Sequence, residues 1–303
     1  MALDEDGMAP EWAPGRAWAP PPGRTAESGN PGAGPRRRVD LTSDHSIQQG
    51  ARAQGRLVAK AEGVLAGLPV FARALEMCDG QAHVQCLARD GDRVQPGQEV
   101  LRVEGRSRAL LYAERTGLNF VQRLSGVATL TARYVLACAG RARVLDTRKT
   151  TPNLRELEKY AVRCGGGVNH RFGLYDEAMV KNNHADLAGV PLLELLIRLR
   201  AALGPGARIT SEARDFDEAC AGVQGDADVV LLDNFSVAEW ARCSPLLRER
   251  ARGRTRPLEL EASGGIHLGN IGDVAASGVD RISVGALTHS APALDFSFYL
   301  RPA

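Results

Sequence analysis

Between residues 143 and 284 the chain alternates short apolar runs with amphipathic ones, and no other feature of the sequence narrows the fold as much. Strand-like runs at 143–146, 178–181, 209–213, 228–232, 258–262 and 281–284 are separated by helix-like stretches at 154–162, 191–203, 217–223, 237–250 and 268–276. Strands joined through helices over short connections run parallel, with right-handed crossovers. An open doubly wound sheet and a closed barrel both satisfy this order, so the residues after each strand decide. They are Arg148 and Lys149, then Lys181, Glu212, Asp233, the run Ser263, Gly264 and Gly265, and finally Gly285 and Ala286. In an α/β barrel the loops after the strands converge on one pocket, whereas an open sheet scatters them. The expectation is an incomplete α/β barrel of six to seven strands.

The first third reads differently. Alternating runs at 53–59, 81–88 and 100–103 around one helix at 70–77 suggest a small α+β unit ending near Tyr112. Two helices follow, 110–124 and 127–139, with Ser125 and Gly126 read as the break. Residues 1–38 are rich in Pro, Gly and Ala and read as a disordered tail or insert, with no role given to Trp12 or Trp18. A 44% hydrophobic share over 303 residues supports a large core, and 38 basic against 36 acidic residues leave no global field for nucleic acid or membrane. Six scattered cysteines without a Cys-x-x-Cys pair suit a reducing cytoplasm, and no apolar run approaches the roughly 18 residues of a membrane span.

The chemistry concentrates at 146–171, where Arg148, Lys149, His170 and Arg171 stand beside a run of glycines. Arg grips a carboxylate or phosphate with two parallel hydrogen bonds and Lys acts as a point charge, so mixing them points to several anionic groups. Ser263 to Gly265 and Gly285 with Ala286 place backbone N–H groups at two consecutive strand ends, as a phosphate requires. Glu212 and Asp233 suit Mg²⁺ bridged to phosphates, or a cation developing on a sugar carbon; ion pairing with Lys149 or Lys181 competes with both. Lys181 fits anion binding or a Schiff base, and His170 an acid or base. The other histidines, at 45, 83, 184, 267 and 289, lack zinc-like spacing and read as polar structure or surface.

Six motifs then carry a resemblance: TRKTTP at 147–152, GGGVNHR at 165–171, MVKNNH at 179–184, LLDNF at 231–235, EASGGI at 261–266 and VGALT at 284–288. Together they resemble the quinolinate phosphoribosyltransferase family, over about residues 40–298. The resemblance implies a decarboxylating pentosyltransferase of NAD synthesis acting on quinolinate and phosphoribosyl pyrophosphate with Mg²⁺. It implies an N-terminal α/β sandwich domain at 39–126 to which a tail at 286–303 returns, and a barrel at 127–285. It implies a homodimer in which Arg115 completes the neighbouring site, with a hexamer as a further assembly. Arg148, His170, Arg171 and Lys181 would surround the quinolinate carboxylates, and Lys149 would lie near the pyrophosphate. Glu212 and Asp233 would face ribose and Mg²⁺, and Ser263, Gly264, Gly265, Gly285 and Ala286 would take the 5-phosphate.

Three departures stand out. Thr210 replaces the first carboxylate of the usual Glu-x-Glu, Asn182 replaces the Asp of Lys-Asp-Asn-His, and the opening motif is split between 2–7 and Asp40. Thr210 and Asn182 motivate the reading of a catalytically weakened barrel that binds phosphorylated metabolites; a near alternative is the related molybdenum-utilisation protein of the same fold with a different substrate, although Asn169-His170-Arg171 and Lys-x-Asn-His match the quinolinate family better. A Schiff-base aldolase centred on Lys181 is the chemical rival.

Overall fold

The computed structural model of the chain describes residues 40–303; the expectations for 1–38, including the split opening motif, lie outside it. The described chain opens with α1 (Leu41–Ser46), β1 (Arg52–Ala59), β2 (Gly63–Val64), α2 (Leu68–Cys78), β3 (His83–Cys86), β4 (Arg93–Val94), β5 (Glu99–Arg106) and α3 (Ser107–Cys138). Next come β6 (Arg143–Leu145), α4 (Arg155–Cys164), β7 (Ala178–Val180), α5 (Asn182–Ala188), α6 (Leu192–Leu203), β8 (Ile209–Ala213), α7 (Phe216–Gln224) and β9 (Val229–Asp233). The chain closes with α8 (Val237–Arg250), β10 (Glu259–Ser263), α9 (Ile271–Ala276), β11 (Arg281–Ser283), α10 (Ala286–His289) and β12 (Phe296–Pro302).

An antiparallel sheet in the order β12-β1-β5-β3 packs one face on α2 and α3. Alternation along β1 and β5 turns Leu57, Leu101 and Val103 inward, where they meet Phe71 and Leu75 of α2 and Leu110 of α3. Phe71 and Phe298, the latter from β12, meet edge-on at 5.4 Å. Asp79 ties this layer together: its buried carboxylate accepts from the backbone N–H groups of Gln81 and Arg106 and pairs with the Arg106 guanidinium at 3.1 Å. The Arg106 backbone hydrogen bond above all holds the Asp79 carboxyl below the usual range. A depressed pKa adds stability above the unfolded value of about 3.9, and this is lost as pH falls through the folded value. Asp79→Asn should therefore cost on the order of 1–3 kcal/mol near pH 7, less to the extent that solvent screens the half-exposed Arg106. In urea titrations the gap to the parent protein should close below about pH 4; a gap independent of pH would refute this.

The two helices expected on either side of Ser125 and Gly126 are one, the 32-residue α3. The misreading has a physical cause, since Ser and Gly punctuate loops when nothing packs on them. Here Ser125 Oγ exchanges hydrogen bonds with both the N–H and the carbonyl of Ala66. Gly126 is small because another segment crosses it: a Cβ there would sit 2.0 Å from the Pro292 carbonyl oxygen. The pair buys a close crossing, and the helix continues through it.

The six parallel strands are ordered β6-β11-β10-β9-β8-β7, so the first strand pairs with the last and a single seam, between β6 and β7, is left without strand pairing. That is the ring order of an α/β barrel with six strands. Val168 makes an isolated parallel bridge to Leu145 at the seam. Val230, Leu232, Leu260, Ala262 and Ile282 build the apolar layer beneath the surrounding helices. The other strand face is ionic: Glu259 lies 2.5 Å from Arg143 and 3.2 Å from Arg281, and also pairs with Arg208. Among the described residues, no helix is long and apolar enough to cross a membrane. All six cysteines are free.

Candidate active site

The C-terminal ends of the six strands enclose a pocket of about 680 Å³. Arg148 and Lys149 follow β6, Lys181 follows β7, Glu212 is on β8, Asp233 closes β9, and Ser263, Gly264 and Gly265 follow from the end of β10. Gly285 and Ala286 come after β11, and His170 and Arg171 enter from the segment across the open seam. Every candidate site residue read from the sequence lines this one space except Arg115, which is exposed on α3 away from it. A second concavity, of about 740 Å³, lies over the solvent face of the antiparallel sheet among Arg56, Arg102 and Tyr299 and contains no strand-end loop.

The cationic loops are pinned from below. The TRKTTP loop is held by Glu158, buried on α4, which accepts from the Thr151 N–H at 2.9 Å and its hydroxyl at 2.8 Å. Arg123 of α3 braces Glu158 at 2.8 Å. Thr288 donates from Oγ1 to the Lys149 carbonyl at 2.8 Å, tying the last strand-end loop to the first. On the other side Asp146, fully buried, pairs with the buried Lys159 and accepts from the Asn169 amide at 2.5 Å and the His170 N–H at 2.9 Å. Lys159 also donates to the His170 carbonyl at 2.9 Å. One buried ion pair thus fixes the path of Asn169, His170 and Arg171 against β6.

Positive charge at the mouth is under-compensated. Lys181 pairs with Glu212 at 2.8 Å, while Arg148, Lys149 and Arg171 make no ion pair among the described residues. Burial first, then the neighbouring Arg148 charge, pushes the Arg171 pKa down, and Glu177, Asp176 and Glu212 offset this in part. A guanidinium stays protonated under any such shift. The repulsion between the two guanidinium groups therefore favours an anion between them. The ion pair weighed for Lys181 exists, and both partners still line the pocket.

After β10 and β9, Gly264 and Gly265 adopt positive φ, 91° and 61°, as does Asn234 at 59°. A Cβ on Gly264 would lie 2.1 Å from Asn234 Oδ1, and the Asn234 N–H donates to the Ser263 carbonyl at 2.8 Å. Two neighbouring strand-end loops interlock there, which is why glycine is needed. His267 and His289, read from the sequence as polar structure or surface, line the pocket too. The signal is position: each follows a glycine turn at a strand end, His267 two residues after Gly265 and His289 four after Gly285. Glu261 was also passed over; it is buried on β10 at the pocket floor, and a charge inside an apolar strand was its signal. Of the departures, Thr210 donates from Oγ1 to Glu177 at 2.5 Å, so a carboxylate approaches that position from the segment before β7. Asn182 opens α5 beside Lys181.

A six-stranded α/β ring that gathers cations and glycine loops around one pocket at its strand ends has the makings of a site for small polyanions. The comparisons narrow this class. Residues 40–125 match the family model for the quinolinate phosphoribosyl transferase N-terminal domain, and residues 127–299 match that for its C-terminal domain. The chain is 41% identical to the nicotinate-nucleotide pyrophosphorylase [carboxylating] of Mycobacterium leprae, over 86% of this chain and 91% of that one. It is 40% identical to a probable nicotinate-nucleotide pyrophosphorylase of Bacillus subtilis, over 85% and 86%. The crystal structure of NadC from Streptococcus pyogenes superposes with a TM-score of 0.81 at 38% identity, covering 87% of this chain and 91% of that one. The chain belongs to the quinolinate phosphoribosyl transferase family.

Proposed function

We propose that this chain transfers the phosphoribosyl group of phosphoribosyl pyrophosphate to the ring nitrogen of quinolinate and decarboxylates the product, giving nicotinate mononucleotide, pyrophosphate and CO₂. The observation that carries the reading is the set of groups gathered in one pocket. Arg148, Arg171 and Lys181 line it together with the glycine loops after β10 and β11, and Glu212 and Asp233 sit on the two strands that separate Lys181 from Ser263 in the sheet order. A pyridine dicarboxylate, a ribose and a phosphate need groups of these three kinds in one space.

In this mechanism Arg148, Arg171 and Lys181 hold the two ring carboxylates and orient the nitrogen toward C1 of the ribose. Lys149 faces the pyrophosphate, and the N–H groups at Ser263 to Gly265 and at Gly285 and Ala286 receive the 5-phosphate. As the C1–O bond to pyrophosphate breaks, positive charge builds on the ribose, and Glu212 and Asp233 stabilise it. The ring nitrogen then bonds to C1. Its positive charge accepts the electron pair left at C2 when the adjacent carboxylate departs as CO₂, and C2 takes a proton. Positioning and charge compensation in a largely fixed site supply the catalysis.

Among the described residues no cluster of three or more His, Cys, Asp or Glu forms a metal cage. Two separate carboxylates in a phosphate-binding pocket do fit Mg²⁺, which takes one or two protein carboxylates and completes its shell with waters and substrate phosphates. Glu212 and Asp233 would hold it there, and the ion would neutralise charge on the departing pyrophosphate. We further propose a homodimer, because Arg115 is exposed and lies outside the lining of its own pocket, where it can complete a neighbour's.

Pyrophosphate release from phosphoribosyl pyrophosphate and Mg²⁺ tests the assignment, with quinolinate in one tube and nicotinate in another. Release with quinolinate alone is expected, since nicotinate lacks the second carboxylate. Release with nicotinate alone, or with neither, would refute it.

A further inference from the structure

Four buried polar atoms at and beneath the pocket lining lack a well-aligned hydrogen bond: His170 Nε2, both carboxylate oxygens of Glu261, and Arg281 Nε. They are nevertheless gathered, with His170 Nε2 3.3 Å from Glu261 Oε1 and Arg281 Nε 2.7 Å from Glu261 Oε2. Glu261 is fully buried, and His170 and Arg281 nearly so. A buried carboxylate is costly unless compensated, and Arg281 supplies the compensating charge here. The backbone N–H of Arg171 meanwhile donates to His170 Nδ1 at 2.7 Å. A nitrogen that accepts carries a lone pair, so the ring proton sits on Nε2, the atom facing Glu261. Both ring nitrogens of His170 are therefore turned to the protein.

We infer that Glu261 is a positioning residue for the dicarboxylate end of the pocket: it sets the His170 tautomer, and His170 in turn fixes the Arg171 backbone, so that Arg171 rather than the imidazole grips the anion. The identity of the anion rests on the function proposed above; the tautomer does not. The effect of Glu261→Gln follows from donor and acceptor matching. The Gln carbonyl turns to Arg281, which only donates, and its NH₂ then faces His170 Nε2. That nitrogen has to become an acceptor, which moves the ring proton to Nδ1, where it opposes the Arg171 N–H. The segment carrying Arg171 shifts, while among the described residues no group of the glycine loops is a partner of Glu261.

Two measurements test this. In the parent protein, ¹⁵N imidazole spectra assigned with a His170→Gln variant should show His170 with Nε2 protonated and Nδ1 bare. A proton on Nδ1 would overturn the inference, and this result needs neither substrate nor a foldable Glu261 variant. In Glu261→Gln the KM for quinolinate should rise about 10-fold to 100-fold, as for a reacting group displaced by about 1 Å, with the KM for phosphoribosyl pyrophosphate within about twofold of the parent. A merely structural role would raise both KM values together or neither, and either result would overturn the proposal. If the parent protein is silent with quinolinate, the reaction assignment has failed and the imidazole spectrum alone decides the positioning role.

Discussion

Lys159→Met should destabilise the fold by about 3–5 kcal/mol, the usual cost of stripping one partner from a buried ion pair. Asp146 has no solvent exposure and Lys159 is the only charged group hydrogen-bonded to it among the described residues. The variant leaves a carboxylate in the interior with only the Asn169 amide and the His170 N–H for company. The same loss frees the segment that carries His170 and Arg171, so activity should fall under conditions where most molecules remain folded. Lys159→Met with Asp146→Leu removes both charges and should recover much of the stability, because an apolar pair of similar volume often matches or exceeds a buried ion pair. Urea midpoints of the parent, single and double variants decide the matter. A single variant within about 0.5 kcal/mol of the parent, the range of ordinary surface changes, would sink the account.

The second large effect concerns catalysis. Arg171→Met should lower kcat/KM for quinolinate by roughly 30-fold to several-thousand-fold, corresponding to the 2–5 kcal/mol lost when one partner of a desolvated charge pair is truncated. Stability should change little. The guanidinium donates one hydrogen bond, to the Glu177 carbonyl at 3.2 Å, and its removal relieves repulsion with Arg148. A fall in kcat/KM with an unchanged urea midpoint is the expected pattern. A loss below about threefold would mean that Arg148 and Lys181 suffice without it, and a loss paralleled by unfolding would make Arg171 structural.

Much of this architecture is legible in the sequence because strand-helix periodicity and the polar residue after each strand are local signals. Arg148, Lys181, Glu212 and Asp233 each follow or close an apolar run of their own, and the ring brings them together without any pairwise information. The supports beneath them are not local. Lys159 and Glu158 sit in RELEKY, which reads as the solvated face of a helix, yet both are buried because α4 packs where Asp146 and Arg123 await them. Ser125 and Gly126 signal a turn until a second segment crosses them. Thr210 looks like a lost carboxylate until Glu177, 33 positions away in the chain, meets its hydroxyl. In each case the deciding partner lies far off in sequence, and single-residue chemistry gives no hint of it.

In the proposed reaction one pocket first joins the pyridine nitrogen to the ribose and only then releases the neighbouring carboxylate, because the charged nitrogen is what accepts the electrons. The direct measurement is the fate of quinolinate labelled in its 2-carboxylate, followed together with pyrophosphate in the presence and absence of phosphoribosyl pyrophosphate. The prediction is labelled CO₂ and pyrophosphate in equal amounts, and no CO₂ without the ribosyl donor. Labelled CO₂ released without the donor, or pyrophosphate released while the label stays on the ring, would contradict it.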